Sequence, residues 1–171
     1  MARRPDPSIS LLLQLIDEAY EQKAWHGVNL RGSIRGLSPK QAAWRPGPKR
    51  HNIWEIVVHC AYWKYVVRRR ITGEKRGSFP LKGSNWFRRP EKISERTWRW
   101  DLEILRITHD LLREAVADLS PRKLPSLSPK KQFTLSQTIQ GIAQHDVYHA
   151  GQVQLLKRLM KNKLLHSRVA G

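Results

Sequence analysis

The chain has little cysteine, no long apolar run and far fewer acidic than basic residues, and these shortages limit the classes of protein to which it can belong. A single cysteine, Cys60, excludes an intramolecular disulfide, and its apolar neighbours favour a buried thiol over a nucleophile. No stretch approaches the roughly 18 uninterrupted apolar residues of a membrane span. The N-terminal apolar run, broken by Gln14 and stopped by Asp17, is too short for a signal peptide. We therefore expect a cytoplasmic protein with no membrane partner.

Basic residues outnumber acidic ones by 32 to 14, which gives a formal net charge of +18 at pH 7. Such a surface attracts polyanions to some degree, because neutralising phosphates releases counterions whatever their sequence. The charge is spread along the chain, however, and no helix-turn-helix, zinc-finger or RRM-like signature accompanies it. Specific nucleic-acid recognition is therefore not expected. A basic binding module for nucleic acid or another polyanion stays open as an alternative function.

Helical periodicity dominates the sequence, and no segment alternates with the period of two that marks half-buried strands. Capping residues and stop signals predict four long amphipathic helices, at about 8–31, 52–73, 94–119 and 134–161. Ser38 before Pro39 indicates a one-turn helix, and residues 74–92 and 120–133 are predicted to be long irregular connections. We therefore predict an all-α fold, a four-helix bundle with long crossover connections. It forms a single domain, 1–171, with its core at about 8–161 and a basic C-terminal tail at 162–171.

Three histidines are the candidate metal ligands. His145 and His149 lie four residues apart in the last predicted helix, so both imidazoles lie on one face. This spacing alone is weak evidence, but His59 lies among apolar residues in the middle of the second helix. Each imidazole in the interior of a bundle needs a polar partner, and a divalent ion would satisfy all three. Three protein ligands leave one coordination position open, which is typical of a catalytic rather than a structural site.

Residues beside this pair are candidates for a catalytic role. Gln152 shares the ligand face and is placed to orient a substrate or a bound water, and Tyr148 neighbours that face. Asp146 follows His145 directly, but on a helix it points about 100° away from the ligand face. An ion pair between helices, or support of the ligands from behind, is favoured for Asp146 over the role of general base.

Two further histidines are weaker candidates. His109 lies on the apolar face of the third predicted helix, where a structural role is favoured over that of a fourth ligand. His26 precedes a glycine near the end of the first predicted helix, and contact with a substrate is the less favoured interpretation there. Imidazole ligands suit zinc, nickel, iron and copper alike, so the sequence does not identify the metal.

Two segments, "HNIWEIVVHCAYW" and "IAQHDVYHAGQVQLLKRL", resemble the DinB-like (DinB/YfiT) superfamily, and the likeness extends over about residues 8–160. The resemblance implies a four-helix bundle with long crossover connections, often dimeric. It also implies a metal site of three histidines, which here map onto His59, His145 and His149. Characterised members of the superfamily include metal-dependent transferases of low-molecular-weight thiols such as bacillithiol and mycothiol.

Together, the histidines and the resemblance predict a homodimeric metal-dependent enzyme that activates a low-molecular-weight thiol or water for reaction with a small-molecule substrate. A metal-dependent hydrolase is an alternative that uses the same site. The sequence does not locate the dimer interface. The aromatic residues near the first long connection are expected to be exposed and are candidates for it: Trp86, Phe87, Trp98 and Trp100.

Overall fold

The computed structural model describes residues 6–128 and 132–169, with side chains as far as residue 163. Within these residues the secondary structure is helical and contains no β-strand, so the prediction of an all-α fold is confirmed for this part of the chain. None of the helices described is long and apolar enough to cross a membrane. The helices are α1 (Pro7–Tyr20), α2 (Leu30–Ile34), α3 (Pro39–Ala43), α4 (Ile53–Thr72), α5 (Glu95–Ala117) and α6 (Leu135–Val169), with a short 3-10 helix at Pro121–Lys123.

The ends of α4 follow the capping residues in the sequence. The Asn52 side chain accepts a hydrogen bond from the backbone N–H of Glu55 at 2.7 Å, which satisfies one of the free donors of the first turn. Gly73 adopts a left-handed conformation (φ 79°) and ends the helix. These two caps fix which residues of α4 lie in its middle, and His59 is among them.

The prediction of one continuous helix over 8–31 is wrong. Helix α1 ends at Tyr20, and α2 begins only at Leu30 after an irregular segment in which Gly27 has a φ of 101°. Asn29 fixes the new start, since its side chain accepts from the N–H of Gly32 at 2.8 Å and donates to the carbonyl of Gln22 at 2.7 Å. An amide that caps a new helix and also holds the preceding chain favours a turn over helix continuation.

Helix α6 is longer than predicted. It continues to Val169, through most of the segment expected to be a separate basic tail at 162–171. The side chains beyond residue 163 and the backbone of residues 170–171 lie outside the described part of the chain. The predicted start at Thr134 agrees with the observed start at Leu135, because the Thr134 hydroxyl accepts from the N–H of Gln137 at 3.2 Å.

The long helices do not pack in chain order. The principal contacts join α4 to α5 and α6, and join α1 to the same two helices. Helix α4 is buried on nearly all sides between Ile53 and Val67, as expected of a helix that is apolar all round. This packing places the polar residues in the middle of α4 opposite α6, away from bulk water.

Candidate metal centre

Three imidazoles meet where the middle of α4 faces α6. The Nε2 atom of His145 lies 3.1 Å from the Nε2 atom of His59 and 3.1 Å from that of His149. His59 and His149 are buried, with exposed fractions of 5% and 3%, and His145 is partly buried. The fold therefore brings the three predicted ligand residues together, through one ring nitrogen each.

The Nδ1 atoms, which point away from the meeting point of the Nε2 atoms, determine the tautomers of two of these rings. His59 Nδ1 lies 2.9 Å from the carbonyl oxygen of Asn85, which can only accept, so the proton is on Nδ1. His149 Nδ1 lies 2.7 Å from Oε1 of Gln152 and is protonated for the same reason. Both Nε2 atoms consequently present lone pairs to His145, whose own Nε2 can donate to one of them at most. A cation at this point satisfies all three nitrogens, so the residues present fit a metal ion.

Burial keeps the rings in the form that binds metals. It lowers the pKa of His59 to about 4 and that of His145 to about 3, where the neighbouring imidazoles add to the effect. Burial also lowers the pKa of His149, against a hydrogen bond with Gln152 that raises it. Neutral imidazoles are the ligating form, and protons therefore compete little with a metal near pH 7.

Aromatic rings form one wall of the centre. Trp86 stacks on His59, with ring centroids 3.8 Å apart and planes at 9°, and His51 stacks on Trp86 at 3.7 Å. Trp63 donates from its indole N–H to Oδ1 of Asn85 at 2.9 Å. Since the Asn85 carbonyl orients His59, Trp63 supports that ligand through Asn85. The connection before α5 is thus part of the site.

Glu55 anchors the chain around this wall. Although burial opposes it, hydrogen bonds from Arg45 and His51 hold the pKa of the Glu55 carboxyl below its usual range. Arg45 binds both carboxylate oxygens, at 2.8 and 2.5 Å, and His51 Nδ1 lies 2.9 Å from Oε2. The backbone N–H of Arg89 donates to Glu55 as well, at 3.3 Å. One carboxylate on α4 therefore fixes both chain segments that flank Trp86.

The three candidate catalytic residues occupy different environments. Gln152 accepts from His149 through Oε1 and donates from Nε2 to the Tyr148 hydroxyl at 2.9 Å. Tyr148 is 63% exposed, so this pair of hydrogen bonds leads from a ligand to the surface. Asp146 is buried and paired with the ammonium group of Lys64 on α4. Its other oxygen, Oδ1, has no hydrogen-bond partner among the described residues.

A second group of potential ligand atoms lies beside the first. Cys60, His145 and Asp146 each offer one such atom, all within 4.8 Å of one another. The Lys64 ammonium already provides a positive charge at Asp146, and a metal ion there would be repelled by it. Burial raises the pKa of the Cys60 thiol, which disfavours the thiolate that a metal needs. The three-histidine group is therefore the better candidate.

The two weaker histidine candidates lie apart from the three ligands. His109 is buried and stacked on Tyr20 with centroids 3.8 Å apart, and it joins no potential ligand group in the described part of the chain. His26 is exposed, in the segment between α1 and α2.

Three of the side chains of the site that were not predicted from the sequence are Trp63, Asn85 and Trp86. Trp63 carried a detectable signal, because it lies four residues after His59 and hence on the same side of α4. The other two lie in an irregular segment without periodicity. The expectation that the nearby aromatics are exposed is wrong for Phe87 and Trp98, which are 7% and 2% exposed. Trp98 packs against Trp54 and donates to the carbonyl of Leu37 at 3.1 Å, which accounts for its burial.

Of three comparisons with known proteins, the one with family models agrees with the resemblance seen in the sequence. Neither a search of curated proteins nor a search of solved structures found a match. The family model described as the DinB superfamily matches residues 23–153, a range that includes all three histidines of the centre. That range covers well over half of the 171 residues, and the chain belongs to the DinB superfamily.

Proposed function

We propose that His59, His145 and His149 bind a divalent metal ion and that the protein is a metal-dependent enzyme with thiol S-transferase-like activity. The observation that carries the proposal is that the Nε2 atoms of the three rings meet at one point. At the same time, the Nδ1 atoms of His59 and His149 are held as hydrogen-bond donors. Membership of the DinB superfamily supports the same proposal, because characterised members include metal-dependent transferases.

A divalent ion held by the three imidazoles would lower the pKa of a bound thiol or water and so make it nucleophilic near neutral pH. The protein's part is to hold the ligands and limit access. Asn85 and Gln152 keep His59 and His149 in the ligating tautomer. Trp86 covers one face of His59, so a substrate must reach the centre from elsewhere. Thiol activation and water activation use the same ligands, and hydrolysis is the alternative reaction.

We propose that α1, α4, α5 and α6 form a four-helix bundle. The connections from α1 to α4 and from α5 to α6 join helices that are not principal neighbours, whereas the connection from α4 to α5 joins helices that pack against each other. The contacts of α4 and of α1 with both α5 and α6 support this arrangement. A homodimer that acts on a small-molecule substrate is the proposed working form.

Metal analysis of protein purified without a histidine tag tests the first part of the proposal. We expect about one divalent ion per chain, and its loss in the His59→Ala and His149→Ala variants because each removes a ligand. His26→Ala, a change at an exposed histidine, is the matched control and retains the metal. Retention of stoichiometric metal by both ligand variants would contradict the proposal.

The reaction is tested with a panel of electrophiles, assayed with and without low-molecular-weight thiols, on metal-loaded and metal-depleted protein. Product formation that requires both thiol and metal supports transfer, and metal-dependent turnover without thiol supports hydrolysis. The charge of +18 motivates a third arm, a salt titration of nucleic-acid binding. Tight, strongly salt-dependent binding that the histidine substitutions leave unchanged, with no turnover, would favour a basic binding module instead.

A further inference from the structure

Two cavities flank Trp63 and share one basic side chain. The first, of about 420 Å³, lies between α4 and α6 and includes His145 in its wall. The second, of about 560 Å³, lies between α4 and the segment that carries Asn85. Arg70 and Trp63 line both cavities, with the Arg70 guanidinium carbon 5.9 Å from the centre of a Trp63 ring. Both volumes lie within the range of small-molecule sites.

Among the described residues, no carboxylate pairs with the arginines that line the second cavity. Arg69, Arg70 and Arg76 line the second cavity, and none of them forms an ion pair with a described carboxylate. The one acidic residue in its wall, Glu74, is paired with Arg68. The Nε atom of Arg69 is buried and has no hydrogen-bond partner among the described residues. Unpaired guanidinium groups in a concave surface are typical of sites for carboxylate or phosphate.

A bound anion would stabilise the charged form of Arg70. Partial burial and the neighbouring charge of Arg69 both lower the pKa of Arg70, which means that its charged form is destabilised where it lies. A bound anion would offset both effects. The same side chain is next to Trp63, whose indole holds Asn85 and through it His59. A ligand anchored at Arg70 therefore lies beside the histidine centre.

We propose that Arg70, assisted by Arg69 and Arg76, binds the anionic group of a small-molecule ligand that extends along Trp63 to the histidine centre. The ligand is a carboxylate- or phosphate-bearing compound, either the thiol or the electrophile of the proposed reaction. This inference rests on the proposed function for the role of the ligand. The anion site itself depends on the arginines alone.

The test is a titration of metal-loaded protein with inorganic phosphate and with succinate at constant ionic strength, followed by tryptophan fluorescence. We expect saturable binding that is about tenfold or more weaker in Arg70→Gln, because a charge-assisted hydrogen bond is lost, and intermediate in Arg70→Lys. The matched control is Arg99→Gln, which removes the same charge from an 80% exposed side chain on α5. Binding that is not saturable, or that falls equally in both glutamine variants, would overturn the proposal.

Failure of the metal proposal and failure of the arginine site give different results. If only the metal centre is wrong, His149→Ala keeps phosphate binding, and metal analysis of the unsubstituted protein finds no ion. If only the arginine site is wrong, Arg70→Gln keeps both its metal and its phosphate affinity.

Thiol binding to cobalt-loaded protein then identifies the source of the anion. If mercaptosuccinate binds more tightly than 2-mercaptoethanol, and Arg70→Gln abolishes this difference, the anion belongs to the thiol. Equal binding of the two thiols, with phosphate still dependent on Arg70, supports the site and assigns the anion to the electrophile.

Discussion

Two groups of polar side chains are buried side by side in this fold, and only one has the geometry of a metal site. The first is the histidine centre: His59, His145 and His149. The second, which we call the lysine cluster, contains Lys64, Asp146, Tyr20, His109 and Asp17. Both contain buried imidazoles on long helices. They differ in what the imidazole nitrogens face.

In the histidine centre, ring nitrogens face one another and leave a common point for a cation. In the lysine cluster, a cation is already present, because the Lys64 ammonium pairs with Asp146 and lies 5.1 Å from the centre of the Tyr20 ring. His109 stacks on the same Tyr20, and neither of its nitrogens has a hydrogen-bond partner within the described structure. Burial of a histidine is therefore not evidence for a metal by itself. What distinguishes a candidate metal site from a structural histidine is that its ring nitrogen converges with other ligand atoms and that no lysine or arginine side chain already supplies the positive charge there.

The largest expected effect comes from removing the protein's own cation. Lys64→Met leaves the Asp146 carboxylate buried without a partner, and both side chains of the pair are 1% exposed. Breaking such a pair is expected to lower the free energy of unfolding by about 3–5 kcal/mol. Urea denaturation measures this loss.

A double variant serves as the control for this first prediction. Replacing both charges, as in Lys64→Met with Asp146→Leu, removes the unpaired carboxylate and is expected to recover most of the stability. A single variant as stable as the unsubstituted protein would show that Lys64 is not the counter-charge of Asp146.

An intermediate effect is expected where a side chain acts through a ligand. Gln152→Ala removes the acceptor for His149 Nδ1 and frees that ring to change tautomer. Metal affinity, measured by chelator competition, is expected to fall by about 10–100-fold. Gln152→Glu keeps an acceptor and should retain the affinity, while Gln140→Ala, at an exposed position on α6, is the matched control. Equal affinity in the two alanine variants would mean that Gln152 does not orient His149.

The histidine centre was more predictable from the sequence than its surroundings, for a physical reason. Helical spacing places His145 and His149 on one face, and the caps at Asn52 and Gly73 place His59 in the middle of α4. The contact of His59 with Asn85 joins a helix to an irregular segment 26 residues away, and no local pattern encodes it. The burial of Trp98 likewise depends on a distant partner.

The lysine cluster has a cation, but its histidine has no hydrogen-bond partner among the described residues. This difference predicts a dependence of stability on pH. Burial, with Lys64 and Arg113 adding to it, lowers the pKa of His109 from 6.5 to about 2. Below pH 6.5 the unfolded chain therefore binds a proton at His109 that the folded chain does not. Stability is lost as the pH falls from 6.5 towards 2.

Between pH 7.5 and 5.5 this one group accounts for about 1.4 kcal/mol of the loss, one proton over roughly one pH unit. In metal-depleted protein, His109→Leu should lose about that much less stability over the same interval, as measured by urea denaturation at both pH values. The same substitution at the exposed His26 is the control. An unchanged loss in His109→Leu would mean that His109 accepts a proton in the fold, and the contrast with the histidine centre would then fail.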